Sequence, residues 1–305
     1  MPADQADYIY YGGAALPAPP FVCDRARFMS LPCAGEAAAI QAFVDRTLNA
    51  ATTSGRYGIL SNYVFLAIMA ADAVGSATPP FSDFGTMAEI DAGFWIPVTD
   101  TLIASSVFWY PAYLFVDNWL AVVGGREIWG FPKAWAQIDA EPGDPRDGTI
   151  AVSTLAMKTL QPGTRAAMAE IFRLTPGASA RTTHSPVEGG SLIGALGRLL
   201  DGELELIDVM TRLFASNGSA ERGSPMIFLK QVRDVGSTTA ATYRSVVTAN
   251  TTITALLGIP SLKGEHCLTL NDLASQPIAA DLGLALGDQT LSLIHISEPT
   301  RQAEI

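Results

Sequence analysis

The chain has 305 residues, 49% of them hydrophobic and only 16% charged, with a mean hydropathy of +0.25. That composition excludes intrinsic disorder and supplies enough apolar residues for a core without a disulfide or metal staple. A net charge of −11 and a pI near 4.7 argue against a protein that binds nucleic acid by neutralising phosphates, so any anionic substrate needs a locally positive site.

The opening MPADQADYIYYGG has neither a basic segment nor an apolar run, so no signal peptide is expected. Cys23, Cys33 and Cys267 are too few and too scattered for a disulfide framework or a zinc knuckle, which points to a reducing cytoplasm. Ala26–Leu31 reads as a short strand. Glu36–Leu48 reads as an amphipathic helix with Ile40, Phe43, Val44 and Leu48 on one face. From Tyr57 to Ile128, β-branched and aromatic residues cut by Gly, Pro, Ser and Asp predict a series of strands. Within it, Thr101–Gly125 is long enough to raise the question of a membrane span. Pro111 and the Asp117-Asn118 pair interrupt it, and two buried strands joined by a polar turn fit better.

Glu141–Gly148, EPGDPRDG, is a turn ahead of a strand over Thr149–Leu160. Ser191–Phe214 carries leucines at helical spacing and reads as a helical insert, broken at Gly202. Ser224–Arg233 and Tyr243–Leu257 return to strand composition. The expectation is a strand-rich α+β fold forming one domain over 1–290. Leu291–Arg301, LSLIHISEPTR, resembles the conceptual translation of a transposon adaptor used in DNA sequencing. On that reading 291–305 is not native sequence; the other reading is a genuine C-terminal strand followed by a polar tail.

Familiar catalytic signatures are absent: no GxGxxG after a strand, no Walker loop, no HExxH. Gly189–Gly194 approaches a nucleophile elbow but is out of register by one residue. Too few histidines remain for a metal cluster, and no metal or cofactor is expected. His266, beside Glu265, reads as an ordinary loop histidine, with a proton shuttle as the other possibility. Lysine is scarce: Lys133, Lys158, Lys230 and Lys263 stand against fifteen arginines. Lys133 sits among apolar neighbours in Gly130-Phe131-Pro132-Lys133-Ala134-Trp135. Desolvation of an ammonium favours the neutral amine, which attacks carbonyls to form a Schiff base. The same residue also fits a surface lysine whose stem lies over Trp135.

The longer string Gly125-Arg126-Glu127-Ile128-Trp129-Gly130-Phe131-Pro132-Lys133 closely resembles the GRE…(F/Y)PK segment of acetoacetate decarboxylases, whose lysine at this position forms the Schiff base. That family is itself the standard example of an amine activated by desolvation or a cationic neighbour. Val116-Asp117-Asn118 resembles a family turn at the same spacing. In MAEIDAGFWIPV, Glu89 lies near the family's catalytic glutamate, which precedes a similar (I/V)PV; Asp91 is its rival, with a closer spacing to Pro97. Arg25, ahead of the first helix, falls where the family has its active-site arginine, with Arg27 as the rival. The resemblance covers Arg25–Ile138 best. It implies an antiparallel β-barrel-like fold with flanking helices, a lysine facing an apolar cavity, a small oxo-acid substrate and a homo-oligomer, with no nucleic-acid or membrane partner.

Two positions depart from the family pattern. Ala134 stands where decarboxylases proper carry a second lysine, and Ala67 where the family places a second glutamate. The insert at 191–214 has no counterpart in the short members. The leading expectation is decarboxylation of a small β-oxo acid such as acetoacetate through Lys133, with Glu89 handling protons and Arg25 holding Glu89 or the substrate carboxylate. On this view Lys133→Ala abolishes turnover with little loss of fold. The superfamily's aldolase-dehydratases, which act on pyruvate, supply a second expectation. A non-catalytic small-ligand-binding protein is the third.

Overall fold

The computed structural model describes residues 7–10, 17–52, 55–103, 106–140, 148–177, 181–185, 223–263, 265–292 and 295–304. Its elements in chain order are β1 (Phe21–Ala34), α1 (Ala37–Arg46), β2 (Tyr57–Ile59), β3 (Tyr63–Ser76), β4 (Met87–Asp100), β5 (Val107–Val116) and α2 (Trp119–Gly124). A π-helical turn over Gly125–Trp129 follows, then β6 (Lys133–Trp135), β7 (Gln137–Ala140), β8 (Ile150–Ala156) and β9 (Ala167–Pro176). The chain continues through β10 (Arg181–Ser185), β11 (Gly223–Arg233), β12 (Ala241–Lys263), β13 (Glu265–Leu270), α3 (Ile278–Leu282), β14 (Gly287–Ser292) and β15 (His295–Glu304). The insert read over 191–214, the Gly189–Gly194 string and most of the EPGDPRDG turn lie outside the described residues.

Ten strands form one sheet in the order β2-β4-β3-β1-β15-β12-β11-β5-β6, with β10 paired to β12. Five more form an antiparallel sheet, β14-β13-β9-β8-β7. The fold is therefore strand-rich α+β, as expected. The pairings leave the expected antiparallel barrel-like arrangement unconfirmed. β5 takes β4 along one edge from Asp91↔Val116 to Thr99↔Val107, but on its other edge it meets β11 only at Met226↔Trp109 and β6 at Leu114–Val116, both in parallel. β15, drawn from the stretch that resembles adaptor sequence, lies between β1 and β12.

Strand alternation sends successive side chains to opposite faces of the large sheet. On β4, Ala92, Phe94, Ile96 and Val98 join the principal core, which packs against Ile150, Val152, Phe172 and Leu174 of the small sheet and Ile40, Phe43 and Val44 of α1. Glu89, Asp91, Gly93 and Trp95 have the other parity. They share the opposite face with a second apolar cluster that includes Phe21, Leu114, Val116, Phe131 and Phe228.

The second half of the Thr101–Gly125 run, read from sequence as a strand, is helix α2. Trp, Leu and Val suit a strand locally, but Asn118 precedes them in an extended conformation and its side chain accepts from the backbone N–H groups of Leu120 and Ala121. That N-cap satisfies donors a nascent helix otherwise leaves open. Among the described residues no helix is long and apolar enough to cross a membrane.

Candidate active site

Lys133 opens β6 in parallel register with Leu114 of β5. The row continues across the sheet through Gly93, Ala67 and Ser30. Ala67, where the resemblance leads one to look for a second glutamate, thus lies in the same row as the lysine. Lys133 is 6% exposed and Glu89 4%. Lys133 Nζ donates to Glu89 Oε1 at 2.8 Å, lies 3.4 Å from Asp91 Oδ2, and stands 5.2 Å from the centre of the Phe131 ring. The two carboxylates that rivalled each other in the sequence both reach the ammonium, because residues i and i+2 of a strand face the same way.

The GRE…FPK string has a structural reason at nearly every position. A Cβ on Gly125 would fall 2.8 Å from Lys133 Cδ and 3.2 Å from Cε, so the glycine makes room for the lysine stem. Arg126 Nη1 donates to the Lys133 carbonyl at 3.1 Å. Glu127 accepts from the Tyr8 hydroxyl at 2.8 Å. Gly130 ends the π-turn at φ +91°, where a Cβ would strike the Lys230 backbone at 2.5–2.8 Å; only glycine meets both demands. Lys230 in turn donates to the Ile128 carbonyl at 3.0 Å. Phe131 packs on Phe228 with ring centres 4.2 Å apart, closing the apolar side. Ala134 faces the principal core, away from the carboxylates.

Arg25 is not brought to this site. Its side chain is 66% exposed and its Nε lies 3.4 Å from Asp72, while the rival Arg27 donates to the same carboxylate at 2.9 Å. The cause is a matched irregularity in two strands. Arg25 has φ +51°, in the left-handed region, and the β1–β3 register passes from Asp24↔Ala73 to Ala26↔Ala71. Phe21, Cys23 and then Ala26 face the second cluster, whereas Met29, Leu31 and Cys33 face the first. The left-handed residue hands the inward position to Ala26 and turns Arg25 toward water, while the β1–β3 register is the same on either side of it.

His266, read as a loop residue, is instead buried in β13. Neither ring nitrogen has a hydrogen-bond partner, and burial lowers its pKa from the ordinary histidine value. Cys23, Cys33 and Cys267 form no disulfide with one another. Among the described residues no group of His, Cys, Asp and Glu is arranged to hold a metal ion.

An ammonium and a carboxylate at hydrogen-bond distance, both removed from water, can exchange a proton with little change in net charge. The arrangement sets an amine against one carboxylate at hydrogen-bond distance, with a second carboxylate beside it.

The family model for acetoacetate decarboxylase (ADC) matches residues 9–301. No curated protein matches the chain. Among solved structures, acetoacetate decarboxylase from Legionella pneumophila shares 17% identity at a TM-score of 0.55, covering 99% of this chain and 92% of that one. The enduracididine biosynthesis enzyme MppR complexed with pyruvate shares 13% identity at 0.55, covering 98% and 95%. An acetoacetate decarboxylase-like enzyme from Sphingomonas wittichii RW1 shares 13% at 0.51, covering 98% and 99%.

Proposed function

The chain belongs to the acetoacetate decarboxylase family, and from that premise we propose that it is a carbon–carbon lyase that decarboxylates a small β-oxo acid through an imine on Lys133. The observation that carries this reading is the buried 2.8 Å contact between Lys133 Nζ and Glu89. Glu89 takes a proton from the ammonium. The freed amine attacks the ketone carbon, and the resulting carbinolamine regains a proton from Glu89 and loses water, leaving a protonated imine. That cation is the electron sink: the bond to the carboxylate breaks, CO2 departs, and the electron pair forms an enamine. A proton drawn from solvent through Glu89 or Asp91 is added to the enamine carbon, and water then releases the ketone and restores the amine.

Ala134 supplies no neighbouring cation, so local proton transfer to Glu89 has to generate the amine. Two carboxylates beside Lys133 also disfavour a substrate carboxylate placed against them, which directs that group toward the apolar side formed by Phe131. This favours loss of CO2, because a carboxylate is poorly solvated there and its neutral product is not.

A second reading has a specific support. Ala134 and Ala67 stand where the decarboxylase pattern has a lysine and a glutamate, and one protein of similar fold is MppR, described in complex with pyruvate. On this reading the same imine forms with a 2-oxo acid, loses a proton from its adjacent carbon to Glu89 or Asp91 in place of CO2, and the resulting enamine attacks an aldehyde. Incubation with acetoacetate, with acetone and CO2 quantified, tests the first reading. Wild-type protein is expected to release both in equal amounts and Lys133→Arg neither; undiminished turnover by Lys133→Arg overturns an imine mechanism.

A further inference from the structure

The β4–β5 ladder stops at Asp91↔Val116, two residues short of Glu89. On the other edge of β4, pairing with β3 is regular only to Ala71↔Glu89 and then slips before Val74↔Met87. The backbone carrying the carboxylate therefore lies at the loosened end of its strand. Asp117 and Asn118 take over where the ladder ends. Asp117 N donates to the Ile90 carbonyl at 3.2 Å, and Asp117 Oδ1 accepts from Ile90 N at 2.8 Å. Asn118 Nδ2 donates to the Ala88 carbonyl at 2.9 Å. Ala88 O belongs to the peptide unit before Glu89 and Ile90 N to the one after, so both peptide planes that orient the Glu89 side chain are held by one dipeptide.

The other end of the Asn118 amide caps α2, its Oδ1 accepting from Leu120 N at 2.9 Å. α2 runs straight into the π-turn that accommodates the Lys133 stem at Gly125. One side chain thus ties the strand bearing Glu89 to the helix leading to Lys133. We infer that Asp117 and Asn118 are positioning residues that keep Glu89 within proton-transfer distance of Lys133. The catalytic consequence of this rests on the imine reading, but the positioning itself does not. The carboxyl of Asp117 is held above the ordinary aspartate range, chiefly by loss of hydration, opposed by the Ile90 N–H and reinforced by the charge of Glu89, as expected of a group close to that carboxylate.

The test needs no substrate. The pH midpoint for labelling of Lys133 by trinitrobenzenesulfonate, read by peptide mass spectrometry, reports how strongly its neighbours favour the ammonium. Those neighbours include Glu89 and Asp91 on β4, with Arg126 on the lysine's own carbonyl. Glu89→Gln removes a facing carboxylate and is expected to lower the midpoint, raising the labelling rate at neutral pH by about threefold to tenfold. Asp117→Ala and Asn118→Ser are expected to move it the same way. Asp117→Asn, which keeps an oxygen for Ile90 N, is expected to stay near wild type. Asn118→Ser retains a capping hydroxyl, so α2 survives in a variant that has lost the amide donor to Ala88. Circular dichroism confirms that the compared variants are folded. Wild-type midpoints in both Asp117→Ala and Asn118→Ser, or no shift in Glu89→Gln, overturn the inference. Failure of an oxo acid to form an imine on Lys133 overturns the proposed function and leaves this result intact.

Discussion

Lys133 and Glu89, 44 residues apart in the chain, meet at 2.8 Å in the apolar interior between β6 and β4. The contact joins two buried groups of opposite charge, with Asp91 beside them, and it governs what substitutions there do. Removing the lysine leaves Glu89 and the nearby Asp91 without their common cation, and a lone buried charge costs about 3–5 kcal/mol. Lys133→Ala is therefore expected to lower stability as well as activity, contrary to the simpler sequence expectation of an intact fold. Lys133→Arg keeps the charge and should melt closer to wild type. Thermal melts of both variants at neutral pH distinguish this from an exposed lysine, for which the two would be alike.

Gly125→Ala is expected to affect the site more than the fold. The new methyl would lie 2.8 Å from Lys133 Cδ, and the flexible lysine stem moves more easily than a backbone. A cost in stability of about 1–3 kcal/mol should accompany a loss of most turnover, because the amine leaves Glu89. Unchanged kcat with a normal melting temperature would show that the stem does not lie where the glycine indicates.

Much of this site was legible in the chain. The string from Gly125 to Lys133 names the lysine, and the spacing of Glu89 and Asp91 along one strand puts both carboxylates on its face. The placement of Arg25 was not legible, because a left-handed residue inside a strand reverses the alternation and no local composition announces that. α2 was missed for a related reason: Trp-Leu-Ala-Val-Val suits a strand, and the Asn118 cap outweighs it. His266 sits beside exposed Glu265, so the polar dipeptide suggested a loop, whereas alternation in β13 buries the one and exposes the other. Register across the large sheet depends on partners far along the chain, and that is what sequence pattern cannot supply.

The Asp100–Arg56 pair should govern part of the acid sensitivity. Asp100 is buried, and although burial alone raises its pKa, hydrogen bonds from Arg56 at 2.9 Å and from Leu102 N at 2.9 Å hold it below the ordinary aspartate value. A folded pKa below the unfolded value near ~3.9 contributes stability above that pH, lost as pH falls through the lowered folded value. Asp100→Asn is expected to cost about 1–3 kcal/mol at pH 7 and progressively less below about pH 4. A constant difference from pH 7 to pH 2.5 in urea titrations would contradict this.

His266 should act in a higher pH window. Burial holds its folded pKa below the unfolded value near ~6.5, so the neutral ring is compatible with the fold and the charged ring is not. Stability is present above about pH 6.5 and declines as pH falls toward the folded value, by at most about 1.4 kcal/mol per pH unit. His266→Leu, which cannot take up the proton, should lose less stability than wild type between pH 7 and pH 5. Parallel pH–stability curves would show that the ring protonates freely in the folded state.

The most direct measurement is borohydride trapping with acetoacetate and, separately, with pyruvate, followed by peptide mass spectrometry. The expected result is a reduced adduct on Lys133, without the carboxylate after acetoacetate, and none on Lys158, Lys230 or Lys263. An adduct on Lys133 only with pyruvate, its carboxylate retained, selects the second reading. Absence of any adduct on Lys133 with either acid, from folded protein, contradicts the claim that this lysine is an imine-forming nucleophile.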